Sequence, residues 1–124
     1  MDLPKSPRKR KAAFDKMKLK YPDHCLIVVQ KAAGCTLPAL KQQKYAVNKN
    51  NTMGSFMSLL RQQLSLSSIH ALFLFVDTGK TPNGKSLSLC PMTHMLSQIC
   101  KEYENQDGAL YIWYQEEATF GSIF

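Results

Sequence analysis

The chain has 124 residues, of which 44% are hydrophobic and 20% charged, and its formal net charge is +7. This length is typical of a single domain that buries a core without disulfide staples. The hydrophobic fraction excludes a disordered chain, and no apolar run is long enough for a transmembrane helix. The basic N-terminus lacks the apolar segment of a secretory signal, so we expect a soluble intracellular protein.

The positive charge is concentrated at the N-terminus, where residues 1–20 contribute +6 of the net charge. We predict a basic, partly disordered arm over residues 1–11 and one domain over residues 12–121. The arm contains four consecutive basic residues, Arg8, Lys9, Arg10 and Lys11. Such an arm could bind nucleic acid, an anionic membrane surface or the acidic surface of tubulin. The alternative interpretation is a solvated tail that binds nothing. Nucleic acid is disfavoured, because no aromatic residues alternate with these cations.

Four cysteines form no CxxC pair, so we predict reduced thiols at Cys25, Cys35, Cys90 and Cys100. Two of them lie near His94, but their spacing fits no standard zinc pattern. We therefore predict no metal site and no bound cofactor.

In the first half of the chain, the pattern predicts a short helix over residues 12–20. Pro22 ends this helix, because proline disfavours the α conformation at the preceding residue. A strand rich in β-branched residues follows over 25–31, and a weaker strand over 44–47.

In the second half, residues 53–64 have apolar side chains spaced as on one helical face, with Thr52 placed as the N-cap. A continuous apolar run over 71–76 predicts a strand buried on both faces. Pro91 is placed to open a further helix, and residues 110–114 alternate as a last strand with two apolar faces.

This order of elements predicts the α+β class, with a mixed four-stranded sheet and helices packed on it. The pattern resembles the ubiquitin-like β-grasp fold, preceded by an additional N-terminal helical region. No phosphate-binding loop, nucleophile elbow or zinc-protease motif occurs. Glu116 and Glu117 are adjacent, so their side chains point to opposite faces of an extended segment. We predict no catalytic residue and no enzyme.

Several sequence blocks over residues 14–121 resemble the autophagy ubiquitin-like modifiers, the family of microtubule-associated protein light chain three and GABA-receptor-associated protein. In family order the blocks are Lys20-Tyr21-Pro22-Asp23, Lys44-Tyr45-Ala46-Val47, Ser58-Leu59-Leu60-Arg61, Ala71-Leu72-Phe73-Leu74-Phe75-Val76, Asp107-Gly108-Ala109-Leu110-Tyr111-Ile112 and Thr119-Phe120-Gly121.

The resemblance implies that a cysteine protease cleaves between Gly121 and Ser122, after Phe120, and removes residues 122–124. Activating and conjugating enzymes would then link the glycine carboxylate to phosphatidylethanolamine, the one covalent group expected. The protein would be cytoplasmic, and bound to autophagosomal membranes when lipidated. The alternatives are the sister autophagy modifier, which is linked to a protein lysine, and a nucleic-acid or tubulin-binding module.

The resemblance also implies that cargo receptors with aromatic-x-x-aliphatic motifs add a strand beside residues 44–47, and microtubules are a further candidate partner. The implied aromatic pocket consists of Met17, Leu26, Val28, Lys44 and Ala46. The implied aliphatic pocket consists of Tyr45, Val47, Phe56 and Leu59, with Arg61 nearby. Plain core is the alternative role for Val28, Phe56 and Leu59. The family usually has a larger aliphatic residue at Ala46 and an aromatic one at Ala109.

Overall fold

The computed structural model describes residues 6–79 and 86–116, which form three helices and one sheet. The elements in chain order are α1 (Pro7–Lys20), β1 (His24–Lys31), β2 (Lys44–Asn48), α2 (Met53–Gln63), β3 (Phe73–Asp77), β4 (Leu87–Leu89), α3 (Leu96–Tyr103) and β5 (Leu110–Gln115). Among these helices, none has the length and apolar character needed to cross a membrane.

The sheet is mixed, with the strand order β2-β1-β5-β3-β4. Its centre is the parallel pair β1 and β5, and the other neighbours are antiparallel. Val28 of β1 lies opposite Lys44 of β2 on one side and Tyr111 of β5 on the other. The mixed sheet of the α+β class predicted from the sequence is confirmed, and β2 lies at one of its edges.

The prediction of four strands was wrong, because β4 adds a fifth strand at the other edge. This strand has three residues, too few to show a sequence period, and pairing with β3 places Leu89 opposite Phe75. The third helix begins at Leu96 and not at Pro91. The backbone between Pro91 and Leu96 instead hydrogen-bonds to the start of α2. There the amides of Met53 and Gly54 donate to the carbonyls of residues 94 and 92, respectively.

Helix α1 begins at Pro7, five residues before its predicted start, so residues 7–11 of the expected arm are helical. Proline is well tolerated at the first position of a helix, since its missing N–H would have no helical partner there. A tertiary contact, from Arg10 to Asp107, also reaches this first part of the helix. Residues 1–5 lie outside the described part of the chain.

The core has two halves, one on each face of the sheet. Leu110, Ile112 and Tyr114 of β5 pack with α2 and α3, whereas Tyr111 and Trp113 pack on the other face, in the cluster that holds Phe14 of α1. The predicted two-faced alternation of this strand is confirmed. Helix α1 and helices α2 and α3 therefore cover opposite faces of the sheet.

Helix α2 begins as the sequence predicts. The Thr52 side chain accepts a hydrogen bond from the Ser55 amide at 3.1 Å, which satisfies one of the free donors at a helix start. The helix buries Met53, Phe56 and Leu60 against the sheet.

Candidate peptide-binding groove

An apolar groove runs between helix α1 and the edge strand β2, with β1 as its floor. Its volume is about 100 Å³. Each of the three elements contributes three lining residues, namely Ala13, Phe14 and Met17 from α1, Leu26, Ile27 and Val28 from β1, and Lys44, Tyr45 and Ala46 from β2. The groove thus lies beside the backbone edge of the sheet.

All five residues predicted for the aromatic pocket, Met17, Leu26, Val28, Lys44 and Ala46, line this groove. Their binding role stays a prediction. Sequence reasoning missed the contributions of Ala13, Phe14 and Ile27, and it assigned Tyr45 to the other pocket. The available signal was helical spacing, since Phe14 lies three residues before Met17 and hence on the same side of α1.

Of the other predicted set, Tyr45 and Phe56 are buried, and Tyr45 also lines the groove. The Phe56 side chain is 1% exposed and meets the ring of Tyr45 edge to face. Val47 and Leu59 are half-buried and pack on the cluster beneath α2. Arg61 is directed to the loop after α2, where Nη2 donates to the Ser67 carbonyl at 2.8 Å. The structure brings Tyr45 and Phe56 into contact and places Phe56 in the core, and the binding role of this set stays a prediction.

The basic residues of α1 differ in their environments. Arg8, Lys9 and Lys11 are exposed. Arg10 instead turns towards the protein, and its Nε donates to Oδ2 of Asp107 at 3.0 Å. The predicted basic cluster therefore divides into three exposed cations and one structural cation, because a buried carboxylate lies within reach of position 10.

Asp107 is the centre of a buried network that the sequence pattern did not reveal, since its Asp-Gly pair indicated only a turn. Its carboxylate also accepts from the Tyr111 hydroxyl at 2.5 Å and from the Ala109 amide at 3.1 Å. Burial and the hydrogen bond to Asp107 raise the pKa of Tyr111, which stays a neutral donor. Ala109, where the family usually has an aromatic residue, is fully buried in the same cluster as Phe14.

A second ion pair fastens the other end of α1, where Lys18 Nζ contacts Oε1 of Glu104. Burial opposes the charged ammonium, but the hydrogen bond and the negative charge of Glu104 outweigh it and raise the pKa of Lys18. Two charged contacts therefore join α1 to the turn before β5.

The predicted processing residues Phe120 and Gly121 lie outside the described residues. The described part of the chain ends at Glu116, just after β5. Its carboxylate accepts from the Thr36 hydroxyl and, at 3.0 Å, from the Thr36 amide. The Thr36 hydroxyl is the main cause that lowers the pKa of Glu116.

The cysteines and other metal-binding residue types form no metal centre in the described ranges 6–79 and 86–116. Cys25, Cys90 and Cys100 are buried, Cys35 is half-buried, and all four are free thiols.

The family model described as "Autophagy protein Atg8 ubiquitin like" matches residues 9–121. Autophagy-related protein 8e of Arabidopsis thaliana is 34% identical over 114 residues, covering 92% of this chain and 86% of the relative. Autophagy-related protein 8 of Schizosaccharomyces pombe is 33% identical over 116 residues, covering 94% and 88%.

Two solved structures have the same fold. The crystal structure of Trypanosoma brucei ATG8 matches with a TM-score of 0.77 and 28% identity, covering 94% of this chain and 92% of that one. Plasmodium falciparum Atg8, solved in complex with a Plasmodium falciparum Atg3 peptide, matches with a TM-score of 0.76 over 91% and 92%. At 24% sequence identity between the two chains, this match supports a shared fold only. The family inferred from the sequence blocks is confirmed, and the chain belongs to the Atg8 family of ubiquitin-like autophagy proteins.

Proposed function

We propose that this protein is a modifier that is processed after Gly121 and joined through the glycine carboxylate to phosphatidylethanolamine. On autophagosomal membranes it recruits cargo receptors and adaptors, whose motifs add a strand to β2. The recruiting role is supported by the apolar groove that lies beside edge strand β2.

The lining of the groove supports a peptide with one aromatic anchor. An extended peptide beside β2 forms main-chain hydrogen bonds and directs alternate side chains towards α1. Apolar walls from Met17, Leu26 and Val28 favour an aromatic side chain there, since such side chains bury large apolar areas. Lys44, half-buried at the groove, favours a motif with neighbouring acidic residues.

Membership of the Atg8 family supports conjugation, and the family match ends at Gly121. In the proposed sequence a cysteine protease hydrolyses the Gly121–Ser122 bond and releases residues 122–124. ATP adenylates the new carboxylate and pyrophosphate leaves. A thiol of the activating enzyme then displaces AMP to form a thioester, which is exchanged onto a thiol of the conjugating enzyme. The lipid amine finally forms the amide while that thiol leaves. The protein is a substrate in these steps, and its enzyme partners are the protease, the activating enzyme and the conjugating enzyme.

Intact-mass spectrometry of the native protein and of Gly121→Ala from starved cells tests the conjugation. A species that ends at Gly121 and carries phosphatidylethanolamine, absent from the variant, is expected. A branched peptide between Gly121 and a lysine would identify the sister modifier. If both proteins keep the terminal Phe124, the conjugation proposal fails.

Two variants of α1 test the groove. Met17→Asp places a charge in the apolar wall, whereas Leu19→Asp places it on the outside of the same helix, where Leu19 is 86% exposed. Binding of an aromatic-x-x-aliphatic peptide should weaken about tenfold or more with Met17→Asp, because a charge is desolvated there. It should change less than about twofold with Leu19→Asp. Equal effects would exclude the groove as the binding site.

A further inference from the structure

Helix α1 forms one wall of the groove but is weakly held by apolar contacts. Phe14 is the one buried residue among the 14 residues of α1, and Met17 is 38% exposed. An isolated helix of about this length is marginal in water, so its position depends on tertiary contacts.

One such contact is the ion pair between half-buried Arg10 and buried Asp107. The side chains are 13% and 3% exposed, and the N···O distance is 3.0 Å. Asp107 is itself held by the Tyr111 hydroxyl and the Ala109 amide, so its carboxylate has a defined place on the sheet. A charged hydrogen bond to a carboxylate fixed in this way orients the donor as well as attracting it.

The pair of Lys18 and Glu104 holds α1 eight residues further along, which is about 12 Å in a helix. The wall residues Ala13, Phe14 and Met17 lie between these two contacts. Their separation from β2 therefore depends on how Arg10 and Lys18 attach the helix to the turn before β5.

We propose that Arg10 and Asp107 are positioning residues for the groove, which hold α1 at the distance that fits an aromatic side chain of a partner peptide. This inference rests on the proposed binding of aromatic-x-x-aliphatic motifs. Arg10 and Asp107 thus influence which partner binds, although neither of them lines the groove. Tyr111 supports them by orienting the Asp107 carboxylate.

The test measures an aromatic preference by titration calorimetry with the full chain. One synthetic peptide contains Trp-x-x-Leu and a second has Ala in place of Trp, and the preference is the ratio of their affinities. The chain variants are Arg10→Gln, Asp107→Asn and the two combined. Arg10→Lys keeps the charge and serves as the conservative replacement.

The matched controls are Lys11→Gln and Asp15→Asn. These residues form an ion pair on the same helix, but their side chains are 58% and 53% exposed. The controls therefore change the charge of the protein equally and leave the groove wall in place.

We expect Arg10→Gln and Asp107→Asn to reduce the aromatic preference at least about fivefold, and the controls to stay within about twofold. The combined variant should lose no more than the worse single variant, because both act through one contact. Arg10→Lys should restore part of the preference. The affinity of the Ala peptide should stay nearly constant, which a general loss of structure would not produce.

Far-UV circular dichroism and the emission of Trp113, the single tryptophan, report whether each variant keeps the core cluster beneath α1. If Asp107→Asn does not fold, Arg10→Gln gives the result alone. Wild-type preference in folded Arg10→Gln would overturn the positioning role while leaving the groove function intact. No aromatic preference in the wild-type protein would overturn the groove function, and the positioning role with it.

Discussion

The ring of Tyr45 meets the ring of Phe56 edge to face, with 5.5 Å between the centroids and 81° between the planes. This contact joins the edge strand β2 to helix α2. The two side chains are 8% and 1% exposed, and aromatic pairs prefer this geometry to a face-to-face sandwich. Phe56 therefore packs against strand β2 from the side of α2, and its side chain is buried in the core.

Phe56→Ala should lower the free energy of unfolding by about 3–5 kcal/mol, as expected when a large buried side chain leaves a cavity. Urea unfolding followed by circular dichroism measures the loss. Phe73→Ala is the control, because Phe73 is half-buried and should cost less. A loss below that of the control would show that Phe56 is not a core residue.

Thr52→Ala should destabilise the protein by about 1 kcal/mol, because the Ser55 amide loses its capping acceptor. Thr93 is exposed, so Thr93→Ala removes the same atoms with little effect. Thermal unfolding of the two variants compares them directly. Equal melting temperatures would contradict the cap.

Gly108→Ala and Gly34→Ala separate backbone strain from the contact with Lys18. Both glycines have positive φ, +94° and +80°, where an added Cβ costs about 1–2 kcal/mol. At Gly108 the Cβ would also lie 3.2 Å from Lys18 Nζ, whereas at Gly34 it meets open space.

Gly108→Ala should therefore lower the unfolding free energy more than Gly34→Ala, since the end of the Lys18 side chain, which pairs with Glu104, must give way to the added Cβ. Chemical denaturation of both variants measures the difference. Equal losses would mean that the ion pair adjusts without cost.

The thiols should differ in reactivity at pH 8. The nucleophile is the thiolate, and burial raises the pKa of Cys90 to about 12. The pKa of Cys25 is raised by its hydrogen bond with Cys100 and by burial. Iodoacetamide should label half-buried Cys35 first, as read by peptide mass spectrometry, and the other three after denaturation. Early labelling of Cys90 in the native protein would contradict its burial.

The same raised pKa predicts a loss of stability in alkali. The neutral Cys90 thiol contributes its full stabilisation below the unfolded pKa of about 9, and this is lost as the pH rises through the folded value of about 12. Cys90→Ser removes this ionisation. Its unfolding free energy should fall less than that of the wild-type protein between pH 9 and 11, and parallel curves would contradict the assignment.

Local sequence was sufficient wherever an element has a strong period or cap of its own. The alternation of residues 110–114 identified both faces of β5, and Thr52 identified the start of α2. Elements that are short or depend on tertiary contacts were missed, because their local sequence has no strong period or cap. Strand β4 exists through its pairing with β3, and α1 extends to Pro7, where the Arg10 contact with Asp107 reaches its first turns.

The sequence by itself determined the class of fold and, through separated blocks in family order, the Atg8 family. It also indicated five of the residues that line the groove, namely Met17, Leu26, Val28, Lys44 and Ala46. Only the tertiary structure decided that Arg10 pairs with the buried carboxylate of Asp107 and that Phe56 belongs to the core. Charge and hydrophobicity are properties of single residues, whereas the distance between positions 10 and 107 is created when α1 packs on the sheet.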